Sequence, residues 1–407
     1  MSIKYRLILM NFLEFFIWGS WLISFGSYMG NILNFSGSQI GSIFSTMGIA
    51  SLFMPGLLGI VADRWINAEK LLGICHFIGA ILLIYASTIH KASIMYLVML
   101  INAMIYMPTI ALNATVSYHV LEQKGLDIVK NFPPIRVWGT VGFVFAMWIV
   151  DLCGLNLSSL QLYIGSGASL FLGIYAFTMP SCPPTKSKNK SLISAFGLDA
   201  FILFKQTKML VFFIFAMLLG AALQITNTFG QMFLHDFNQY ANSFAVLHPG
   251  LLMSISQISE TLFILTIPFF LNRFGIKMIM IMSIFAWVFR FFLFGIGNPG
   301  SGLILLILSM IIYGMAFDFF NISGSLFVET ETDKSIRASA QGLFMIMTNG
   351  LGAFFGGVMS GKIVDYFSIN GIKDWQSIWF VFSGYALLLG IIFPFVFKYN
   401  HDKNNNI

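Results

Sequence analysis

Four ionisable side chains lie well inside long apolar runs of the sequence. They are Glu14, Glu260, Arg290 and Asp318, and Arg136 lies near the start of a fifth run. If these runs cross a membrane, each charge costs about 2.5–3.5 kcal/mol at the bilayer centre, so it normally faces a cavity or a partner. A buried carboxyl group can also be tuned by its neighbours to exchange a proton. These residues therefore predict a polar pathway with proton chemistry.

Amide, hydroxyl and aromatic side chains occur beside these charges at helical spacing, three, four or seven residues apart. The sets that share a helix face are Arg136, Thr140 and Phe143; Gln224 and Asn227; Gln257 and Glu260; and Tyr313 and Phe317, with Asp318 next to them. Amides and carboxylates offer paired donors and acceptors, and aromatic rings offer stacking surfaces. A polar, uncharged molecule with a ring and hydroxyls, such as a sugar or a nucleoside, would suit this mixture.

The same residues also have structural interpretations. Amides in membrane helices often only hydrogen-bond to a neighbouring helix, and the aromatic residues can serve packing alone. Arg290, between Phe289 and Phe291, fits a structural pair or a snorkelling side chain better than a ligand. Asp318 and Arg136 are a candidate charge pair.

The composition identifies the elements that must position these residues as membrane helices. Hydrophobic residues make up 57% of the chain and charged residues only 9%, whereas soluble domains have about a quarter of their residues charged. With about 20 residues for each crossing, 407 residues have room for ten to thirteen helices. The apolar runs are 7–29, 40–62, 70–89, 93–117, 135–154, 160–180, 209–234, 249–271, 276–296, 302–328, 337–361 and 376–397.

These runs predict an all-α integral membrane protein with twelve transmembrane helices in two six-helix bundles. The predicted domains are an N-terminal bundle (1–180), a basic cytoplasmic linker (181–208), a C-terminal bundle (209–398) and a cytoplasmic tail (399–407). Of the 22 Lys and Arg residues, the loops on one side hold only Lys91, Lys362 and Lys373. The positive-inside rule then places both termini in the cytoplasm.

Composition also argues against several other partners. The net charge of +6 comes from short loops between apolar runs, which favours membrane orientation over nucleic-acid binding. The three cysteines are far apart and show no metal spacing, and the six histidines are scattered. No metal ion or cofactor is predicted.

The two halves resemble each other weakly, at a constant offset of six spans. Ile135–Phe143 opens the fifth span and Ile336–Phe344 opens the eleventh, each with an Arg at its second position. A parallel repeat of six spans is how the major facilitator fold is built, with the substrate held between the halves near the midplane.

Several segments closely resemble the bacterial nucleoside:proton symporter family of the major facilitator superfamily. They are Trp18–Leu22, Phe53–Asp63, Phe132–Thr140, Gly197–Phe201, Leu223–Asn227, Met253–Phe270, Phe317–Gly324 and Arg337–Gly342. The resemblance runs from the first span to the last. It implies an importer of nucleosides, uridine and adenosine-like, with protons. It also implies a monomer in the lipid bilayer of the bacterial inner membrane.

By this resemblance, the substrate pocket lies on spans five, seven, eight and ten. The implied substrate-binding residues are Arg136, Thr140, Phe143, Gln224, Asn227, Gln257, Glu260, Tyr313 and Phe317. The amides and Glu260 would hydrogen-bond to the base and ribose, and Phe143 or Phe317 would pack on the ring. Glu260 and Asp318 are the acids expected to couple protons. Glu14 departs from the family pattern, which has glutamine there, and adds a third candidate acid.

Three alternatives remain open from the sequence. The fold hosts many substrates, so the chain could transport another polar solute such as a sugar. A membrane enzyme would need clustered His, Asp, Ser or Cys near an interface, and the sequence shows no such cluster. A membrane sensor would need a signalling module or a long soluble domain, and neither is visible. We therefore expect a transporter and not an enzyme.

Overall fold

The computed structural model describes residues 2–184 and 198–399, and these ranges are almost entirely helical. The helices of the first range are α1 (Ile3–Gly19), α2 (Phe25–Asn31), α3 (Gly37–Arg64), α4 (Ala68–Ala86), α5 (Ala92–Gln123), α6 (Ile128–Leu152) and α7 (Leu160–Ala176). Of the predicted linker, residues 185–197 lie outside the described residues, as do residues 400–407 of the predicted tail.

The second range contains seven further α-helices and two short strands. The helices are α8 (Thr207–His235), α9 (Phe244–Leu247), α10 (Pro249–Ile296), α11 (Leu303–Glu331), α12 (Arg337–Met345), α13 (Ala353–Tyr366) and α14 (Trp375–Val396). A π-helical segment (Ile346–Gly352) joins α12 to α13, and 3-10 helices cover Leu198–Lys205 and Asn238–Tyr240. The antiparallel strands β1 (Ser368–Ile369) and β2 (Ile372–Lys373) form a small hairpin before α14.

Nine helices of the described chain are long and apolar enough to cross a membrane, and α7 is a shorter apolar helix. This confirms the prediction of an all-α membrane protein. Nine is fewer than the twelve predicted spans, partly because α10 runs through two of them. Gly275 lies between those two spans with φ 75°, a left-handed backbone that glycine adopts without strain and that turns the chain there.

The first predicted span, 7–29, is not one continuous helix. It is broken between the end of α1 at Gly19 and the start of α2 at Phe25. Serine and glycine residues lie within and beside this break. The Ser20 hydroxyl donates a hydrogen bond to the carbonyl oxygen of Ile17. Such local bonds compete with the helical ladder. Apolar content alone did not reveal the interruption.

Polar side chains cap the N-termini of several helices and accept hydrogen bonds from the N–H groups of the first turn. Ser36 and Gln39 form a reciprocal capping box at the start of α3. Asp127 accepts from the Val129 N–H at 2.8 Å at the start of α6, and Asp374 accepts from the Ser377 N–H at 3.1 Å at the start of α14. Each cap contributes about 1 kcal/mol.

Helix packing in the first range is repeated in the second at an offset of six predicted spans. The pairs α1–α6, α3–α5 and α4–α7 pack closely in the first range. In the second range, α8 packs on the π segment and α13, the first part of α10 packs on α11, and its second part packs on α14. Glycines permit these close approaches. A Cβ on Gly142 would meet the backbone of Phe12, and one on Gly356 would meet the backbone of Ala221.

The two ranges meet along α3 and α13. Gly37 and Gly41 of α3 lie against Gly361 and Gly357 of α13, so closely that a Cβ on Gly41 would overlap the Gly357 carbonyl oxygen. Small residues at such an interface let two backbones approach, which maximises van der Waals contact in a membrane.

Candidate functional site

Arg136 and Glu260 are electrostatic neighbours from the two ranges in the predicted site. Arg136 lies on α6, and its guanidinium carbon is 3.9 Å from the centroid of the Phe15 ring on α1. Glu260, on α10, is its electrostatic partner from the other range. The sequence had suggested Asp318 as the charge partner of Arg136. The electrostatic partner of Arg136 from α10 is Glu260, and a pairing of Arg136 with Asp318 stays a prediction.

The helices α10 and α11 place the remaining polar residues of this cluster beside Glu260. Gln257 and Glu260 are neighbours of the Tyr313 hydroxyl, and Glu260 also interacts electrostatically with Asp318. The rings of Tyr313 and Phe317 stack with centroids 6.1 Å apart. Asp318 is buried, and its Oδ2 has no hydrogen-bond partner. The arrangement is two carboxyl groups, an amide and two flat rings within one connected group, which we call the central cluster.

On the other side of Arg136, aromatic rings extend the central cluster into the first range. Phe143 is buried two turns along α6 and meets Trp18 edge-on at 6.2 Å, and Trp18 in turn lies 6.4 Å from Phe15. Thr140 is half-buried one turn from Arg136 on the same face. These contacts connect Arg136 and Phe143 to one aromatic wall.

The two amides predicted on α8 are less clearly part of this group. Gln224 is buried and donates to the Thr228 hydroxyl of its own helix at 3.2 Å. Asn227 is half-buried. No hydrogen bond of the described residues joins either amide to Arg136, Glu260 or Asp318. Their assignment to the site stays a prediction.

Arg290 contacts a predicted substrate residue, which the sequence did not reveal. It is fully buried, so the snorkelling interpretation is wrong. Its guanidinium carbon is 4.5 Å from the centroid of the Tyr313 ring, and Nη1 donates to the Ser309 carbonyl oxygen at 2.9 Å. Arg290 therefore supports the ring of Tyr313 from the second part of α10. No polar residue near it in the sequence could have indicated this.

Glu14 lies outside the central cluster. It is fully buried, with Oε2 3.0 Å from Nε2 of His76 on α4 and Oε1 accepting from the Thr109 hydroxyl of α5 at 2.6 Å. The next residue of α1 is Phe15, whose ring contacts the Arg136 guanidinium group. The sequence predicted a role for Glu14 but missed His76, because a single histidine in an apolar run has no spacing signal.

A second set of carboxylates joins the two ranges at one end of the molecule. Asp151, at the end of α6, lies 2.9 Å from His248 Nδ1 and accepts from the Gly250 N–H at 2.8 Å, at the start of α10. Asp365, at the end of α13, accepts from the N–H groups of Gly37 and Ser38 at 2.6 and 2.9 Å, at the start of α3.

A third carboxylate, Asp236 at the end of α8, accepts from Asn31 Nδ2 at 3.2 Å and from Lys373 Nζ at 2.9 Å. We call Asp151, Asp236 and Asp365 with these partners the latch. Negative side chains at helix N-termini are favoured by the exposed N–H groups and the helix dipole. The remaining side-chain hydrogen bonds between the ranges 2–184 and 198–399 lie at the same end, Trp148 to Ser254 and Gln231 to Asn156.

Metal chemistry is not indicated in the described part of the chain. No group of three or more His, Cys, Asp or Glu residues there could hold a metal ion. What the central cluster can do is bind a polar molecule and hold protons.

The long apolar helices of the described residues and their repeated packing belong to a membrane protein with the major facilitator fold. A bacterial Spinster homologue in an inward-facing, unoccupied conformation shares the fold, with a TM-score of 0.73 at 14% identity over 98% of this chain and 97% of that chain.

The family model described as nucleoside H+ symporter matches residues 1–402. The chain belongs to the nucleoside H+ symporter family. It is therefore a multi-pass membrane transporter and not an enzyme, as predicted.

Individual relatives cover nearly the whole chain. The chain is 59% identical to the xanthosine permease of Escherichia coli (strain K12), over 99% of this chain and 97% of that protein. It is 54% identical to the nucleoside permease NupG of the same organism, over 99% of this chain and 98% of that protein. The crystal structure of the nucleoside transporter NupG superposes with a TM-score of 0.93, covering 98% of this chain and 100% of that chain.

Proposed function

We propose that the chain imports nucleosides, including uridine and adenosine-like nucleosides, together with protons across the bacterial inner membrane. The observation that carries this proposal is the interaction of Arg136 on α6 with Glu260 on α10. It puts a titratable pair between the two ranges, where a facilitator holds its substrate. A proton-linked nucleoside permease accounts for this pair better than a carrier of an uncharged solute alone.

The layout that this function needs is twelve crossings in two six-helix bundles. The first crossing consists of α1 and α2 together, and α10 provides two crossings on either side of Gly275. The continuous stretch from α12 through the π segment to α13 provides one. The bundles are residues 1–180 and 209–398, linked by 181–208 and followed by the tail 399–407. The repeated helix pairs support this division.

In the proposed pocket, a nucleoside lies against the central cluster and the neighbouring amides. The residues proposed to bind it are Arg136, Thr140, Phe143, Gln224, Asn227, Gln257, Glu260, Tyr313 and Phe317. Glu260 and the amides hydrogen-bond to the base and ribose, and Phe143 or Phe317 packs on the ring face. Both kinds of contact suit a nucleoside, whose base is flat and whose ribose is rich in hydroxyls.

Proton coupling is proposed for Glu260 and Asp318, with Glu14 as a third acid. Glu260 has Arg136 as its cationic partner and Asp318 as its acidic neighbour, and opposite and like charges act on a carboxyl group in opposite directions. The unpartnered Oδ2 of Asp318 is a place where a proton can bind. A nucleoside that competes for Glu260 then changes how tightly a proton is held.

Alternating access follows from the latch. We propose that both termini lie in the cytoplasm and that the protein is a monomer, so the latch closes the periplasmic end of the pathway. The described side chains form hydrogen bonds between the bundles at the latch end and none at the opposite end. This difference favours a cavity that opens to the cytoplasm. Breaking the latch would let the bundles rock and open the periplasmic side.

The test is uptake of labelled uridine by the purified protein in proteoliposomes with an inward proton gradient. We expect accumulation that a protonophore abolishes and that excess unlabelled adenosine or uridine inhibits, whereas excess sugars do not. Uptake that neither the protonophore nor excess nucleosides reduce would refute the proposal. Inhibition by sugars would favour a sugar as the substrate.

A further inference from the structure

Glu14 and His76 form a buried pair that the central cluster does not use. Both side chains are almost completely buried, and Glu14 Oε2 lies 3.0 Å from His76 Nε2. The pair joins α1 to α4, and it is anchored on two more helices through Thr109 of α5 and Ser169 of α7. An ionisable pair in this environment is costly unless it is well bonded, so a functional role is the default interpretation.

The hydrogen bonds around His76 fix how many protons the pair holds. The Ser169 hydroxyl has one hydrogen and donates it to the His76 carbonyl oxygen at 2.9 Å. Ser169 Oγ therefore accepts from His76 Nδ1, 3.2 Å away, and Nδ1 carries a hydrogen. The line between Nε2 and Glu14 Oε2 then holds one proton, on the imidazole or on the carboxyl group. Without it, two electron-rich atoms would face each other at 3.0 Å.

Other titratable groups around the pair come from the neighbouring helices. They are Cys75 on α4, Tyr106 on α5 and Arg136 on α6, each an electrostatic neighbour of Glu14. The Tyr106 hydroxyl donates to the Glu14 carbonyl oxygen at 2.6 Å. The helix α7 contributes the hydroxyl of Ser169, and α3 carries its only charged residues, Asp63 and Arg64, in its last turn. None of these groups replaces the shared proton.

Two small cavities lie beside the pair. A small cavity with room for about one water molecule is lined by His76, Cys75, Tyr106, Thr109 and Ser169, among others. A second cavity of similar size shares Trp21, Asn102 and Tyr106 with it and extends to α3. The first cavity therefore lies at the pair, and the second lies against α3, the helix that meets the other bundle.

We infer that Glu14 and His76 are a second proton-binding site, separate from Glu260 and Asp318, whose one shared proton holds α1 on α4. When this proton leaves through the adjoining cavity, the bare carboxylate and imidazole nitrogen separate and α1 moves. The Phe15 ring on α1 carries Arg136, so the movement reaches the central cluster. This inference deepens the proposed function and rests on proton-driven nucleoside uptake.

The test is the ratio of protons to uridine molecules taken up, measured from both fluxes in proteoliposomes. Glu14→Gln keeps a hydrogen-bond donor toward His76 Nε2 but cannot release a proton. We expect it to lower the ratio by about one proton for each uridine taken up. The matched control is Glu69→Gln. Glu69 is a buried acid on α4, the helix of His76, and it accepts from the Cys182 N–H. Its replacement should leave the ratio unchanged.

An unchanged ratio in Glu14→Gln overturns the second site and leaves the proposed function intact. Wild-type protein without proton-driven uridine uptake overturns the proposed function itself. If Glu14→Gln does not fold, the doubly neutral Glu14→Gln/His76→Gln protein carries the same expectation, and an unchanged ratio there also refutes the site.

Discussion

At the scale of single residues, Glu260 has two roles that compete with each other. Arg136 is its cationic neighbour on one side, and Asp318 is its acidic neighbour on the other. A nucleoside hydroxyl or amide that bonds to Glu260 adds a third influence. Linkage requires that, if a bound nucleoside changes the proton affinity of Glu260, protonation of Glu260 changes the nucleoside affinity by the same factor. This reciprocity is how one side chain can couple two solutes.

Replacing this carboxyl group should separate transport from energy coupling. Glu260→Gln keeps hydrogen-bonding capacity but cannot exchange a proton, so we expect it to abolish accumulation of uridine against its gradient. Exchange of labelled for unlabelled uridine should stay measurable, because exchange needs no net proton movement. Both rates are measured in proteoliposomes at equal protein density.

The control for this change is Glu122→Gln, an exposed acid near the end of α5. It should accumulate uridine as wild type does. Full accumulation by a well-expressed Glu260→Gln protein would contradict the coupling role of Glu260.

The sequence alone identified those residues whose charge is costly to bury in a membrane, because each can be recognised without knowing its neighbours. Glu14, Glu260 and Asp318 stand out because acids are rare in apolar runs. It did not identify Glu260 as an electrostatic partner of Arg136, because pairing depends on how α6 faces α10. It also missed His76 and the contact of Arg290 with Tyr313, because both depend on helices distant in the sequence.

At the scale of helices, the crossing of α3 and α13 controls how closely the two bundles approach. Glycines line both helices at this crossing, and Gly41 and Gly357 touch through their backbones. The two carboxylate caps of the latch lie at the same end of the molecule. Asp151 ends α6 and caps α10, and Asp365 ends α13 and caps α3. These two caps are related by the six-span repeat, so each bundle holds the other in the same way.

A methyl group at this crossing should disfavour the closed latch. Gly41→Ala places a Cβ against the Gly357 carbonyl oxygen, and backbone cannot move aside as a flexible side chain can. Transport needs both the closed and the open latch, so we expect the initial rate of uridine uptake to fall at least about tenfold. The folded protein should remain in the membrane at a normal level.

Gly59→Ala in the same helix is the matched control, since nothing lies within 4 Å of a Cβ there. Its uptake should equal that of wild type. Normal uptake by Gly41→Ala would show that the crossing does not limit the cycle.

The helices themselves were largely predictable. Most predicted spans agree with observed helices within a few residues, because long apolar runs dominate membrane helix formation. The break between Gly19 and Phe25 and the π segment Ile346–Gly352 were not predictable, because they interrupt runs that stay apolar throughout.

At the scale of the whole molecule, the proposed orientation can be read from the native cysteines. Cys153 is exposed in the turn after α6, at the latch end. Cys75 is buried within α4. Cys182 is buried, and burial together with the nearby Glu69 carboxylate raises the pKa of its thiol to about 12, so it is largely unreactive at neutral pH.

We therefore expect a membrane-impermeant thiol reagent added outside intact spheroplasts to label the protein at Cys153. The Cys153→Ser protein should not be labelled. Labelling that appears only after the membrane is opened would place the latch in the cytoplasm and reverse the proposed orientation.

The most direct test of the central claim, that one cluster binds a nucleoside and a proton for the same transport step, measures proton movement caused by the nucleoside. Proteoliposomes loaded with a pH-sensitive dye, with equal pH on both sides and the membrane potential clamped, receive uridine outside. The account predicts acidification of the interior that depends on uridine and is absent with Glu260→Gln. Uridine entry without any change of internal pH in the wild-type protein would contradict it.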